Sequence, residues 1–322
     1  MRLPAWYQLR ATRAQPPGLA AEATSRAAIY QAALQQAEEL VRAAMSLGPA
    51  SRPLPLYYAI SQAGRAIVAA RGSVVEAPPR HGLRLSTVAT RILETAVEPE
   101  PRGQFPTVAE AVESTGLTEP VQVGALMATI PELAILPELG DRWRRALPVW
   151  RREATTRFDE IAAETLVPAA IVFPNLPADR QGIESALASY PTAVRLISQS
   201  EGAHRDRTPD GVGVLMHWPR GQAKQDPLPP PYGPEGRRWL RPAVCGTDFP
   251  PSLLMAWWAV LYGLSMLARY HPVEWVSALD LDRSSAAVPL EMTMEVALEV
   301  VPQLVLEAIM AAPDSERSRD GA

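Results

Sequence analysis

One cysteine and one lysine stand in a chain of 322 residues. With Cys245 alone, neither a disulfide within the chain nor a cysteine metal cluster can form. Lys224 is the only lysine, so arginine carries almost all of the positive charge. That bias, with abundant alanine and proline, reads as the mark of a GC-rich genome rather than as a functional choice. A strong charge of either sign is lacking too. A net charge of −4 and a pI near 5.7 exclude a protein that coats nucleic acid through bulk charge, and leave only a local basic surface open. The opening MRLPAWYQLRATRAQPPGL has no apolar core of the kind that a secretory signal needs, so a cytoplasmic location is expected. The phosphate-cradling and dinucleotide-binding glycine motifs are missing, as is His/Cys metal spacing. GLSML (263–267) lacks the second glycine of a nucleophile elbow, and GVGVL (211–215) is too short to carry meaning. No metal and no cofactor is therefore expected.

What is present suits a soluble globular chain: 47% hydrophobic and 20% charged residues are enough for a real core. Residues 20–47 are rich in helix formers and close on Gly48 and Pro49. A second helix is expected from Pro53 to Arg71, with Gly72 as its stop. After a Pro-rich loop, LRLSTVATRILETAV reads as helical or mixed, and PTVAEAVESTG and PVQVGALMATIPELAIL read as short helices. DRWRRALPVWRREATTRFDEIAAET (141–165) reads as an amphipathic, charged helix whose arginine stems cover apolar surface. Between 166 and 247 the texture changes to short β-prone runs such as VPAAIVFPNL, TAVRLISQ, VGVLMHW and RRWLRPAV. Helical character returns at Ser252 and lasts to about Ala311, with a kink expected at Pro302. The expected organisation is an N-terminal helical part (1–165), a β-containing insert (166–247), C-terminal helices (248–312) packing back on the first part, and a disordered tail (313–322). The fold class is mainly α: a helical bundle interrupted by a small β-containing insert, α+β in detail.

FPPSLLMAWWAVLYGLSMLA (249–268) has about the length that crosses a bilayer. Trp257, Trp258 and Tyr262 lie near its middle, whereas aromatic residues of membrane helices gather at the two interfaces. The segment is read as a buried helix, with no membrane. The LARYHPVEW that follows is read as a helix–helix corner. Arg269 complements the carbonyl end of one helix, Pro272 opens the next and holds His271 extended, Glu274 lies in the new first turn, and Trp275 packs beneath.

Two polar stripes stand out. Tyr58, Gln62 and Arg65 share a face of the second helix, and Trp258, Tyr262, Ser265 and Arg269 share a face of the late apolar one. LYYAISQAGRAI, RHGL (80–83) and LYGLSMLARYHPVEW, in that order and spacing, resemble the YaaC-like family of bacterial proteins. The tyrosine-rich helix followed by a Gly-containing loop and His-Gly-Leu is also similar to HEPN domains, helical bundles found in ribonucleases, toxins and nucleotide-binding partners of defence systems. Nuclease members of that group set four to six residues between an Arg and the His that follows it. Here the matching positions hold Val74, Val75 and Glu76 before His81, and Leu264, Ser265 and Met266 before His271. His204 and His217 also lack an arginine at that spacing.

The expectation drawn is a HEPN-like binding module, for a phosphate-bearing ligand (nucleotide or RNA) and a protein partner or a second copy, leaning away from an enzyme. A divergent metal-independent ribonuclease is the alternative. Candidate ligand-binding residues are Tyr58, Gln62, Arg65, His81, Tyr262, Ser265 and Arg269, expected to converge on one polar pocket, with His81 and Arg65 the catalytic candidates. His81 is read first as a loop histidine that orders the turn before Gly82, and second as an acid/base or phosphate ligand.

Overall fold

The computed structural model describes residues 5–139, 142–151, 166–172, 179–191, 203–208, 211–219, 231–233, 236–245 and 250–311. The expected tail and the TAVRLISQ run lie outside them. The chain is mainly helical with small antiparallel sheets, and it divides into two compact units. The first comprises 1–127, 136–138 and 251–322; the second comprises 128–135 and 139–250.

The first unit is built around α4 (Pro53–Arg71). Pro53 suits the first turn, where its missing N–H costs nothing, and Gly72 N–H bonds Val68 O at 2.7 Å to close the helix. Thirteen of its nineteen residues are buried, which is possible only if neighbours surround it. Those neighbours are α2 (Leu19–Glu22), α3 (Thr24–Met45), α5 (Gln104–Ala111), α8 (Leu253–Tyr270) and α10 (Ala287–Met310). The expected single helix over 20–47 is broken at Ala23, whose extended backbone (φ −138°, ψ 126°) separates α2 from α3. α1 (Ala5–Ala14) packs on α3 and α10.

α8 is the apolar segment singled out in the sequence. Every residue from Leu254 to Leu267 is buried, with Trp257 and Trp258 wholly so. It is the one described helix long and apolar enough to cross a membrane, and 78% of it lies inside the unit. Gly64 of α4 lets the two helices meet: a Cβ there would fall 2.3 Å from the Trp258 ring. The corner that follows forms largely as read. α9 (Pro272–Ala278) starts on Pro272, and Trp275 is fully buried with its Nε1–H on Ala50 O at 3.0 Å. His271 (φ −131°, ψ 55°) leaves the helical region but stops short of extension. α10 continues through Pro302, where the missing N–H deprives the Leu298 carbonyl of its helical donor.

Two expectations are corrected. The stretch read as helical or mixed supplies β1 (Leu83–Leu85) and the start of β2 (Ala96–Pro99), and the run PVQVGAL read as helix opens with β3 (Val121–Gln122), the third strand of their antiparallel sheet, before α6 (Val123–Ala128). The charged segment read as a helix holds β4 (Leu147–Arg151), a strand of the second unit's five-stranded sheet. β5 (Leu166–Val172), β6 (Ala203–Thr208), β7 (Gly211–Pro219) and β8 (Arg238–Leu240) complete it, in the order β6-β7-β5-β4-β8, all antiparallel. Pro148 survives inside this sheet because its register partner is Trp239 of β8, while the β5 pairing begins only at Val149. The unit also holds α7 (Arg180–Leu187), capped by the Asp179 side chain on Gly182 N–H at 2.8 Å.

Candidate functional site

At one end of α4, Tyr57 and Tyr58 are adjacent in sequence and so point about 100° apart around the helix. Tyr57 faces inward and is fully buried. Its hydroxyl lies 2.7 Å from His81 Nδ1, and its ring packs edge-on to His81 (5.5 Å between centroids) and to Tyr262 of α8 (5.4 Å). His81 and Tyr262 close the triangle at 5.7 Å. Tyr58, half-buried, accepts a hydrogen bond from Arg269 Nη1 at 3.1 Å. Arg269 stands in the last turn of α8, exposed, with its guanidinium 4.9 Å above the Tyr270 ring.

The histidine is fixed through its backbone as well as its ring. Phe105 N–H donates to His81 O at 3.0 Å and Gln104 N–H to Arg80 O at 2.7 Å, so the open end of α5 is satisfied by the His81 loop. Gln104, buried, also accepts from the Ser61 hydroxyl of α4, which ties α5 to α4 beside the loop. The crossing is tight: Gly82 (φ 75°) and Gly103 (φ 144°) lie so close that a Cβ on Gly103 would sit 2.3 Å from Gly82 N. Such packing leaves His81 one backbone position.

Electrostatics keep both partners of the central bond neutral. Burial and then the Arg269 charge hold the His81 pKa below its usual value, against a weaker upward pull from Glu100. Burial, reinforced by Tyr262 and Tyr58, raises the Tyr57 hydroxyl well above the ordinary tyrosine range. Burial likewise pushes Tyr262 up to about 12, helped by Glu100 and Tyr270. A neutral imidazole that accepts the Tyr57 proton at Nδ1 carries its own proton on Nε2. The cluster therefore joins a buried aromatic floor (Tyr57, Tyr262), a half-exposed imidazole and an exposed guanidinium.

Of the seven candidate residues, four meet here: Tyr58, His81, Tyr262 and Arg269. The other three do not join them. Ser265 is buried and turns back on its own helix, donating to Tyr262 O at 2.8 Å. Arg65 lies about 10 Å along α4 from Tyr58 and pairs with Glu76 at 2.8 Å. Among the described residues, no hydrogen bond or ring contact links Gln62 or Arg65 to the cluster. The expected single pocket with two converging arginines is thus corrected to a cluster with one, because Arg65 is drawn to Glu76 instead.

Sequence reading missed Tyr57, Glu100 and Gln104. The YYAI string (57–60) holds Tyr57, but the polar stripe at i, i+4 and i+7 runs through its neighbour Tyr58. A tyrosine flanked by buried apolar positions was the available signal, since its hydroxyl needs a partner. Glu100 and Gln104 carried none, because their role depends on the loop crossing at Gly82 and Gly103. Among the described residues, no group of three or more His, Cys, Asp or Glu side chains is placed to hold a metal ion.

A family model described as "YaaC-like Protein" matches residues 5–309, and the chain belongs to that family. Comparison with curated proteins and with solved structures returned no match.

Proposed function

We propose that this member of the YaaC-like family is a binding module that takes a phosphate-bearing ligand, a nucleotide or an RNA end, on the edge formed by Tyr58, His81 and Arg269. The carrying observation is that Arg269 and Tyr58, 211 residues apart in sequence, are hydrogen-bonded beside a neutral imidazole and edge-packed tyrosines. Arg269 spends one donor on Tyr58, and the rest of its planar fork suits a phosphate. His81 Nε2–H adds an uncharged donor, and the exposed Tyr270 ring offers a stacking face. The HEPN-like character and a cytoplasmic location belong to the same proposal, the latter supported by the burial of α8 in its own unit.

Thermal unfolding with inorganic phosphate, adenosine monophosphate and a 5′-phosphorylated oligoribonucleotide tests this. Stabilisation by at least one of them, lost in Arg269→Ala and His81→Ala but kept in Arg65→Ala, is expected. Equal stabilisation of all three variants would sink the reading.

A ribonuclease is the second reading, favoured by one observation: His81 is held neutral by its surroundings, and in the tautomer whose Nδ1–H donates to Tyr57 its Nε2 is free to accept a proton. The binding reading expects labelled RNA to stay intact without metal. Cleavage that disappears in His81→Ala would transfer the argument to the ribonuclease.

A further inference from the structure

At the opposite pole of the sequence signals lies a surface that no motif announced. The turn between α3 and α4 (residues 46–52), the end of α9 and the start of α10 enclose two adjoining cavities of about 620 and 340 Å³, which share Pro49 and Glu291. Leu47, Val276 and Val288 line them, and all three are exposed. The apolar surface extends beyond the lining. Met45 stands two residues before Leu47, Val273 one helical turn before Val276, and Leu281 directly after the lining residue Asp280, each more than 60% exposed. These six account for half of the twelve large apolar side chains that the described residues expose. Isolated exposed apolar residues need no explanation, but such a concentration around one groove marks a contact surface.

The groove is rigid. Buried Trp275 bonds the turn at Ala50 O, and Arg52 bonds the carbonyls of Ala44 and Leu47 at 3.1 and 2.9 Å. Arg52 also pairs with Glu295, which uses up the single cation of the lining. Glu291 remains, beside Asp280, whose carboxylate accepts from Asp282 N–H at 3.0 Å and faces the exposed Arg283 at 3.7 Å. The floor is therefore apolar and the rim acidic.

We infer that this groove receives an amphipathic helix of a partner protein, one whose apolar face is flanked by arginine or lysine. Rim charge decides the class: two carboxylates facing solvent attract basic flanks and repel acidic ones. The same argument disfavours a second copy on this face, because an isologous contact would set Glu291 and Asp280 of both copies against each other. A helix in a groove anchors through apolar residues at i, i+3 and i+7, and Leu47, Val276 and Val288 are apolar groups of the lining that can receive them.

The probe is a fluorescein-labelled synthetic helical peptide of leucine and arginine at that spacing, read by anisotropy against the full chain. A twin with glutamate in place of arginine is the control. Tight binding of the arginine peptide alone is expected, weakened at least about tenfold by Val276→Asp and by Glu291→Arg. Both positions face solvent, so unchanged circular dichroism accompanies the loss; Glu291→Arg also gains affinity for the glutamate peptide. Equal binding of the two peptides would overturn the inference, as would binding indifferent to both substitutions. So would sedimentation showing a dimer that Val276→Asp dissolves, which would assign the groove to a second copy. A crosslink seating the chain's own residues 312–322 in the groove would assign it to the tail.

Discussion

The Tyr57–His81 bond makes a prediction about acid. His81 has a folded pKa below its unfolded value of about 6.5, so the unfolded chain binds the extra proton first. Its contribution to stability is complete above that unfolded value and is lost as pH falls through the folded one. Urea midpoints should therefore drop more steeply below about pH 6.5 for the native chain than for His81→Gln. A nuclear magnetic resonance titration of the imidazole should give a value below about 6.5 that rises in Arg269→Ala, since that removes the cation opposing its charge. At the other extreme, Tyr30, Tyr190 and Tyr262 are each pushed up to about 12 by burial, and Tyr57 higher. Of eight tyrosines, these four should stay protonated in an absorbance titration to pH 11 for as long as the fold holds. Gly64→Ala should lower stability by about 1–3 kcal/mol in denaturant, because overpacking against Trp258 outweighs the gain in helix propensity. Little of this was legible beforehand. Tyr58 and Arg269 were readable as polar positions on apolar helices and were expected to share a pocket, but the hydrogen bond between them was not legible. Their contact is a property of how α8 crosses α4.

At the level of whole elements, α4 was readable almost to the residue, because Pro53 and Gly72 are boundary signals that act locally. β4 was not. Its run LPVWR sits among arginines and carries a proline, both of which argue against an interior strand. Its place is set by β5 and β8, partners that no local window contains. The Ala23 break was equally hidden, since alanine is a helix former with no preference for the extended backbone seen there. One element is finished from outside itself. Arg26 of α3 directs Nη1 at the carbonyls of Val68, Ala69 and Gly72, at 3.3, 3.2 and 3.2 Å, and so closes the carbonyl end of α4. Arg26→Met keeps most of the stem packing and removes the donors. It should cost about 1–2 kcal/mol in chemical unfolding, and amide exchange in the last turn of α4 should accelerate.

For the whole molecule, the first unit is assembled from both ends of the chain while the second is nearly continuous. Replacing 139–250 with a flexible Gly/Ser linker should therefore leave a chain with the far-ultraviolet signature of the helical unit, since lengthening a closed loop costs only logarithmically. Loss of cooperative unfolding in that chain would show that the division is not one of stability. The sequence suggested an excursion of this kind from the change of texture near residue 166, but the unit begins at Ala128, where local periodicity is still helical. The arrangement around α4 has a consequence in time. α3 reaches the central helix at once, but α8 and α10 are synthesised only after some two hundred further residues. At about 5–20 residues per second the ribosome takes roughly 10–40 s over that interval. For that long the face of α4 carrying Tyr57 and Gly64 waits without its cover, while the second unit is completed and can fold. The nascent chain thus presents an apolar face midway through its own synthesis, one that the finished fold no longer shows.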